Sequence, residues 1–203
     1  MLGSSYSTGA QTSCTSCPAN ALCISTSLPP LTCPPGYKGD SGTNTCVACS
    51  AGKECPNAAT ENTCSPGSYS TAGAAACSTC PEGFKCATTN ALPVACAAGE
   101  YSASGAQSCT TCEAGSACPT TKSSDKVNCA SGFYSEAGAT RCIRCPPGSS
   151  CSDSTQLDET TCDEGFYSLP GSATCTECPA GKACNSDGSI IVDCDSGLYS
   201  LDG

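Results

Sequence analysis

Cysteine is the residue through which this chain could do chemistry. Its 203 residues hold 24 cysteines, and a thiolate can ligate a metal, exchange disulfides or close a bridge. Six C-x2-C pairs begin at Cys14, Cys46, Cys77, Cys109, Cys142 and Cys175, with second members Cys17, Cys49, Cys80, Cys112, Cys145 and Cys178. A zinc site of four thiolates needs two such pairs brought together. Here each pair is followed by single cysteines. One comes six positions on, at Cys23, Cys55, Cys86, Cys118, Cys151 and Cys184, and another 9 to 11 residues later, at Cys33, Cys64, Cys96, Cys129, Cys162 and Cys194. The chain also has no His, the commonest metal ligand. No metal is therefore expected. A thioredoxin-like centre uses one C-x2-C at a helix start, so six pairs of like spacing read as structural disulfides.

Other chemistry lacks its parts. Without His there is no usual general base and no usual partner for a nucleophilic Ser or Cys. No phosphate-binding loop and no carboxylate pair stands out, so no enzymatic activity and no cofactor are expected. The acidic run Asp153, Asp158, Glu159, Asp163 and Glu164 could be offered to calcium, but it lacks EF-hand spacing and reads as a solvated loop. No N-x-S/T sequon is present: Asn44 and Asn62 each start only an N-T-C triplet. Ser and Thr number 54, which leaves O-linked sugar as the glycan the chain could carry.

The elements that position the cysteines cannot rest on an ordinary core. Leu, Ile, Val and Phe number 20, and there is no Trp. So few large apolar side chains cannot offset the entropy of ordering the backbone, so the bridges must do so. Disulfides on this scale require an oxidising compartment, which places the chain outside the cell or on its surface. The net charge of −10, from 8 basic and 18 acidic residues, repels phosphate backbones and excludes nucleic acid as a partner class. No apolar run approaches membrane-spanning length; the run Ile190-Ile191-Val192 is three residues long.

The cysteines form a grid. Successive pairs are 31 to 33 residues apart, and each fourth cysteine lies 13 before the next pair. The grid divides the chain into a partial repeat 1–13 and repeats 14–45, 46–76, 77–108, 109–141, 142–174 and 175–203, the last truncated. All seven tyrosines keep phase: Tyr6, Tyr37, Tyr69, Tyr101, Tyr134, Tyr167 and Tyr199. Six are followed by Ser. Gly67, Gly99, Gly132, Gly165 and Gly197 lie two residues before a Tyr; Gly73, Gly105, Gly138, Gly171 and Gly203 lie four after. Pro81-Glu82-Gly83, Pro146-Pro147-Gly148 and Pro179-Ala180-Gly181 mark reverse turns just past the pairs. No helical period is visible. The expected fold is a series of small disulfide-rich repeats forming an elongated rod of short β-ribbons and turns, with little or no helix. Each Tyr ring is expected to pack on its unit's bridges as repeat core. Thirteen before Cys14 stands Met1, where a cysteine is due, and thirteen after Cys194 is position 207. Both ends thus fall mid-repeat, and further repeats are expected beyond the segment.

The stretch C-x2-G-x-Y-S-x2-G-A-x2-C-x2-C-P-x-G, from Cys64 to Gly83, resembles the ephrin-receptor-like cysteine-rich repeat of secreted and cell-surface proteins, many of them from protists. Its first half is also similar to the opening module of tumour-necrosis-factor-receptor cysteine-rich domains. A looser likeness is to furin-like repeats and to C-x2-C-rich surface antigens of ciliates. The first unit departs from the pattern, with Gly36 directly before Tyr37 and Lys38 in place of Ser. The resemblance implies bridges across the 13-residue step, Cys33–Cys46, Cys64–Cys77, Cys96–Cys109, Cys129–Cys142 and Cys162–Cys175. It implies a second set across the 6-residue step, Cys17–Cys23, Cys49–Cys55, Cys80–Cys86, Cys112–Cys118, Cys145–Cys151 and Cys178–Cys184. Cys14 and Cys194 are then unpaired, or paired beyond the segment. The rival is an interleaved unit, Cys14–Cys23 with Cys17–Cys33 and so on, which leaves no orphan.

Receptors, adhesins, matrix proteins and filaments all use such units. Closely alike repeats with no unit specialised for a ligand point to a structural role, a building block of a filament, surface hair or matrix whose partner is a copy of itself. The alternative is a ligand-binding or adhesive ectodomain, which should break its pattern in one or two units. Unit one, with its shortened Gly-Tyr step, and unit five, with its acidic loop, come nearest to that.

Overall fold

The computed structural model describes residues 5–6, 15–18, 21–23, 25–40, 43, 45–155, 161–185, 191–195, 198 and 200, with only the backbone for Ser5 and Tyr6. Met1, Cys14, Asp158, Glu159, Ile190, Gly197, Tyr199 and Gly203 lie outside these residues, as does the side chain of Tyr6.

The fold is a series of small disulfide-rich β-ribbon repeats. The described strands form ten two-stranded antiparallel sheets, and the only helical segment among the described residues is the three-residue 3-10 turn Ser123–Asp125. Two kinds of ribbon alternate. In the first, the Tyr strand returns along the residues between the two cysteines of a C-x2-C pair, as in Tyr69↔Ser78, Tyr101↔Thr110, Tyr134↔Ile143 and Tyr167↔Thr176. In the second, the residues after the next turn pair with those just before the fourth cysteine, as in Lys85↔Val94, Ala117↔Val127 and Ala183↔Val192.

A turn of one kind precedes both ribbons. Tyr37 N–H donates to the Pro34 carbonyl at 3.1 Å, and Phe84 N–H donates to the Pro81 carbonyl at 3.2 Å. Gly36 (φ 89°) and Gly83 (φ 85°) hold the third turn position. That is the type II pattern, which needs positive φ at this place and therefore Gly. Each repeat is thus two successive turn-and-ribbon halves, the first leading to the fourth cysteine and the second opening on the Tyr strand.

Strands of two residues are too short to persist unaided. Disulfides close them. Eleven bridges join the described cysteines: Cys17–Cys23, Cys49–Cys55, Cys80–Cys86, Cys112–Cys118, Cys145–Cys151 and Cys178–Cys184 over six residues, and Cys33–Cys46, Cys64–Cys77, Cys96–Cys109, Cys129–Cys142 and Cys162–Cys175 over thirteen. Their Cα separations run from 5.6 to 6.2 Å, inside the range a disulfide spans. These are the pairs of the local scheme and not of the interleaved one. Each bridge closes its own loop and none overlaps another. Cys194 is a free, half-buried thiol.

The core is made of these bridges. The buried apolar side chains among the described residues are cysteines and three alanines, Ala21, Ala58 and Ala117. Phe84, Val94, Val127, Phe133, Ile143 and Phe166 are exposed.

The chain divides into two compact units, Met1–Ala95 with Ala103–Ser108, and Cys96–Ser102 with Cys109–Gly203. In the first unit, Gly73 N–H donates to the Cys49 carbonyl at 2.8 Å and Cys55 N–H to the Ala74 carbonyl at 3.0 Å. Gly105 to Cys80 (2.8 Å) and Cys86 to Ala106 (3.0 Å) repeat the two bonds. In the second unit the same bonds run from Gly138 to Cys112 (2.8 Å), Cys118 to Ala139 (2.9 Å) and Gly171 to Cys145 (2.9 Å). All of these tie the start of a repeat to its own end through backbone alone, whereas Ser70 N–H to the Thr89 carbonyl (3.0 Å), Ser102 N–H to the Thr121 carbonyl (3.0 Å) and Ser135 N–H to the Ser154 carbonyl (3.1 Å) join one repeat to the next. At ordinary net values each contributes about 1 kcal/mol.

Candidate functional site

For a chain of closely alike units, the candidate functional site is the junction that lets one unit dock on the next. It is built from a serine. Side chains alternate across a strand, so of each Tyr-Ser pair one member faces inward and the other faces out. The member enclosed is Ser: Ser70, Ser102, Ser135 and Ser168 are all buried, Ser135 completely. The described tyrosine rings keep a solvent-exposed face. Tyr69, Tyr101, Tyr134 and Tyr167 are half-buried and Tyr37 is 40% exposed. A ribbon of two strands covers only one face of a ring. The Tyr101 hydroxyl donates to Glu113 at 3.4 Å, and the Lys126 ammonium stands 5.4 Å above its ring.

Ser135 makes three bonds. Its hydroxyl donates to the Ser116 carbonyl at 2.8 Å, its own carbonyl accepts Gly115 N–H at 2.9 Å, and its N–H donates to the Ser154 carbonyl at 3.1 Å. Three segments therefore meet at one residue. Ser70 repeats the arrangement in the first unit, with its hydroxyl on the Lys53 carbonyl at 2.8 Å, Gly52 N–H on its carbonyl at 3.1 Å and its N–H on the Thr89 carbonyl at 3.0 Å. Ser168 donates to the Ser149 carbonyl at 2.9 Å and Ser200 to the Lys182 carbonyl at 2.6 Å. A hydroxyl is small enough to be enclosed and polar enough to satisfy a carbonyl that would otherwise be orphaned. The signal lies in the sequence, where six of seven tyrosines precede Ser.

Glycine permits the close approach. A Cβ on Gly132 (φ 82°) would fall 2.8 Å from the Gly171 carbonyl carbon, and one on Gly67 (φ 79°) 2.9 Å from that of Gly105. Both the positive φ and the lack of space exclude other residues.

The first repeat is locked differently. Lys38 stands in the serine position, and its ammonium pairs with Glu61 at 2.8 Å, while Lys53 reaches the same oxygen at 3.5 Å. The Glu61 carboxyl is held below the usual carboxylate range, chiefly by the Lys38 hydrogen bond and further by both lysine charges, against a smaller upward push from burial. Its other oxygen is buried without a partner. Gly39 N–H donates to the Ala58 carbonyl at 3.1 Å, and the Tyr strand lengthens to Tyr37–Asp40.

Glu61 also lies beside the sulfurs of Cys49 and Cys55, the only grouping of three metal-type ligand atoms among the described residues. Those sulfurs are bridged to each other and two ammoniums already occupy the carboxylate, so the group is not arranged to hold a cation. In the acidic loop, Asp153 accepts Thr155 N–H at 2.8 Å and its hydroxyl at 2.7 Å. These bonds, the backbone one foremost, hold its carboxyl below the usual range. Asp163 and Glu164 open the next turn, where the Asp163 carbonyl accepts Phe166 N–H at 2.9 Å. No helix among the described residues is long and apolar enough to cross a membrane. No protein-family model matches the chain, and no curated protein shows significant similarity to it.

Proposed function

We propose that this chain is a structural segment of an extracellular or cell-surface protein, a disulfide-stapled repeat rod that serves as a building block of a filament, surface hair or matrix. The observation that supports the reading is the junction itself. The same backbone bonds, the same Gly approach and the same Ser node recur in both units, and none of them depends on a large or charged side chain. Such a junction can be repeated indefinitely while the outward residues vary. The acidic surface keeps a large assembly soluble. Self-association with further copies is the partner interaction the reading requires, and O-linked sugar on exposed Ser and Thr is compatible with it. Catalysis is left out because the chain has no His and no constellation of acid, base and nucleophile.

Negative-stain electron microscopy of native material, with non-reducing size analysis, tests this. Uniform fibrils that survive dilution and shorten only on reduction are expected. Monodisperse particles of one chain each would overturn the filament reading and favour a ligand-binding or adhesive ectodomain.

A further inference from the structure

The residue before the third cysteine differs from repeat to repeat: Leu22, Glu54, Lys85, Ala117, Ser150 and Ala183 in turn. In repeat 2 the Glu54 carboxylate accepts Cys77 N–H at 2.8 Å and lies 3.4 Å from the Asn62 amide nitrogen, which donates to it. It thereby fills the space beside the Cys64–Cys77 bridge. In repeat 5 the short Ser150 replaces it, and a cleft of about 350 Å³ opens beside the equivalent Cys162–Cys175 bridge.

The cleft has a definite chemistry. Four hydroxyl-bearing residues line it, Ser150, Ser152, Thr161 and Thr174, with Asp163, Phe166, Ala173 and the Cys162–Cys175 bridge. Phe166 is 38% exposed and so offers an apolar plate. No Lys or Arg lines the cleft, and its one carboxylate repels anions. A single carboxylate is too few oxygens of charge for a divalent cation. Hydroxyls that both donate and accept, a carboxylate that accepts, and one aromatic face suit a neutral ring with hydroxyls around its edge and C–H groups on its face. The volume lies within the range of small-molecule sites.

We propose that the cleft of repeat 5 binds a hexose-sized sugar ring, with Phe166 beneath the ring, Asp163 and the four hydroxyls on its edge, and a sugar oxygen standing where the Glu54 carboxylate stands in repeat 2. This does not rest on the filament reading. Fibrils can form without sugar binding and sugar can bind without fibrils, so the two tests fail separately.

The probes are methyl β-D-galactopyranoside and methyl α-D-mannopyranoside, titrated into the disulfide-intact full chain and followed by amide NMR. Saturable shifts are expected at Ser150, Ser152, Thr161, Asp163, Phe166 and Thr174 for at least one of them. A ligand of this size without charge should bind with a Kd of about 1 to 10 mM. Ser150→Glu copies the side chain that repeat 2 accommodates and refills the cleft; it should weaken binding at least ~10-fold while signals from repeats 2 and 3 stay in place. Phe166→Ala, at an exposed position, should weaken it comparably and carries the test should the first variant not refold. No saturable shift with either sugar up to ~100 mM, or undiminished binding in a folded variant, would overturn the proposal.

Discussion

Residues 33–64 and residues 129–162 contain the same pair of bridge types, yet they hold their repeats together by different means. In the first region the ribbons are long, Tyr37–Asp40 on Thr45–Ala48 and Lys53–Asn57 on Thr60–Thr63. Lys38 and Lys53 converge on Glu61. In the second the ribbon is Phe133–Tyr134 on Ile143–Arg144, followed by a single bridge between Ser149 and Thr161. There Ser135 does the locking with three hydrogen bonds. The disulfides set where a ribbon can form, and the residue after the tyrosine decides how the ribbon is held. A neutral hydroxyl permits the shortest ribbon and is indifferent to pH. An ion cluster requires more ladder around it and leaves one carboxylate oxygen buried without a partner.

Exhaustive tryptic digestion without reduction breaks the two regions apart most completely. Lys38, Lys53, Lys85, Arg141 and Lys182 lie inside bridged loops, whereas Lys122, Lys126 and Arg144 lie between them. The first region should therefore survive within one covalent piece, 1–122, while the second is split, its first bridge in residues 127–141 joined to 142–144 and its second in 145–203. Interleaved bridges would yield 1–38, 39–141 without its 123–126 segment, and 142–203 instead. Mass spectrometry distinguishes the two patterns outright.

Ser135→Ala comes next in size. It leaves the Ser116 carbonyl buried without its donor, which should cost about 1–3 kcal/mol in urea unfolding. An unchanged midpoint would mean that water replaces the hydroxyl and that the node is not a lock.

The smallest effect belongs to the ion cluster. Glu61 has a lowered carboxyl pKa in the folded chain, so its contribution is present above the ordinary carboxylate range and is lost as pH falls through that range toward the folded value. Glu61→Gln should destabilise by about 0.5 kcal/mol at neutral pH, as partly exposed pairs do. The difference from wild type should vanish in strong acid. A difference that persists there would assign the effect to packing of the side chain rather than to its charge.

Much of this fold was legible in the residues alone. The turn positions followed from Pro-x-Gly at fixed phase. The absence of a helical period anticipated ribbons, and the shortage of Leu, Ile, Val and Phe anticipated a core of sulfur. Spacing alone left two bridge schemes open, because connectivity depends on which loops lie side by side. The Tyr-Ser dipeptide was visible as a repeat, but whether ring or hydroxyl turns inward depends on which strand face meets the preceding ribbon, and period-two alternation cannot say which face that is.

Sequence by itself determined the repeat length, the cysteine phase and the places where only Gly can stand, because covalent geometry and backbone sterics act over a few residues. Tertiary structure alone decided that Ser135 is enclosed while Tyr134 keeps solvent, that Lys38 finds Glu61, and that Ser150 leaves a cleft where Glu54 fills one. Each of those outcomes depends on atoms brought together from segments about twenty residues apart, and their meeting is settled by packing and by the need to satisfy buried polar groups.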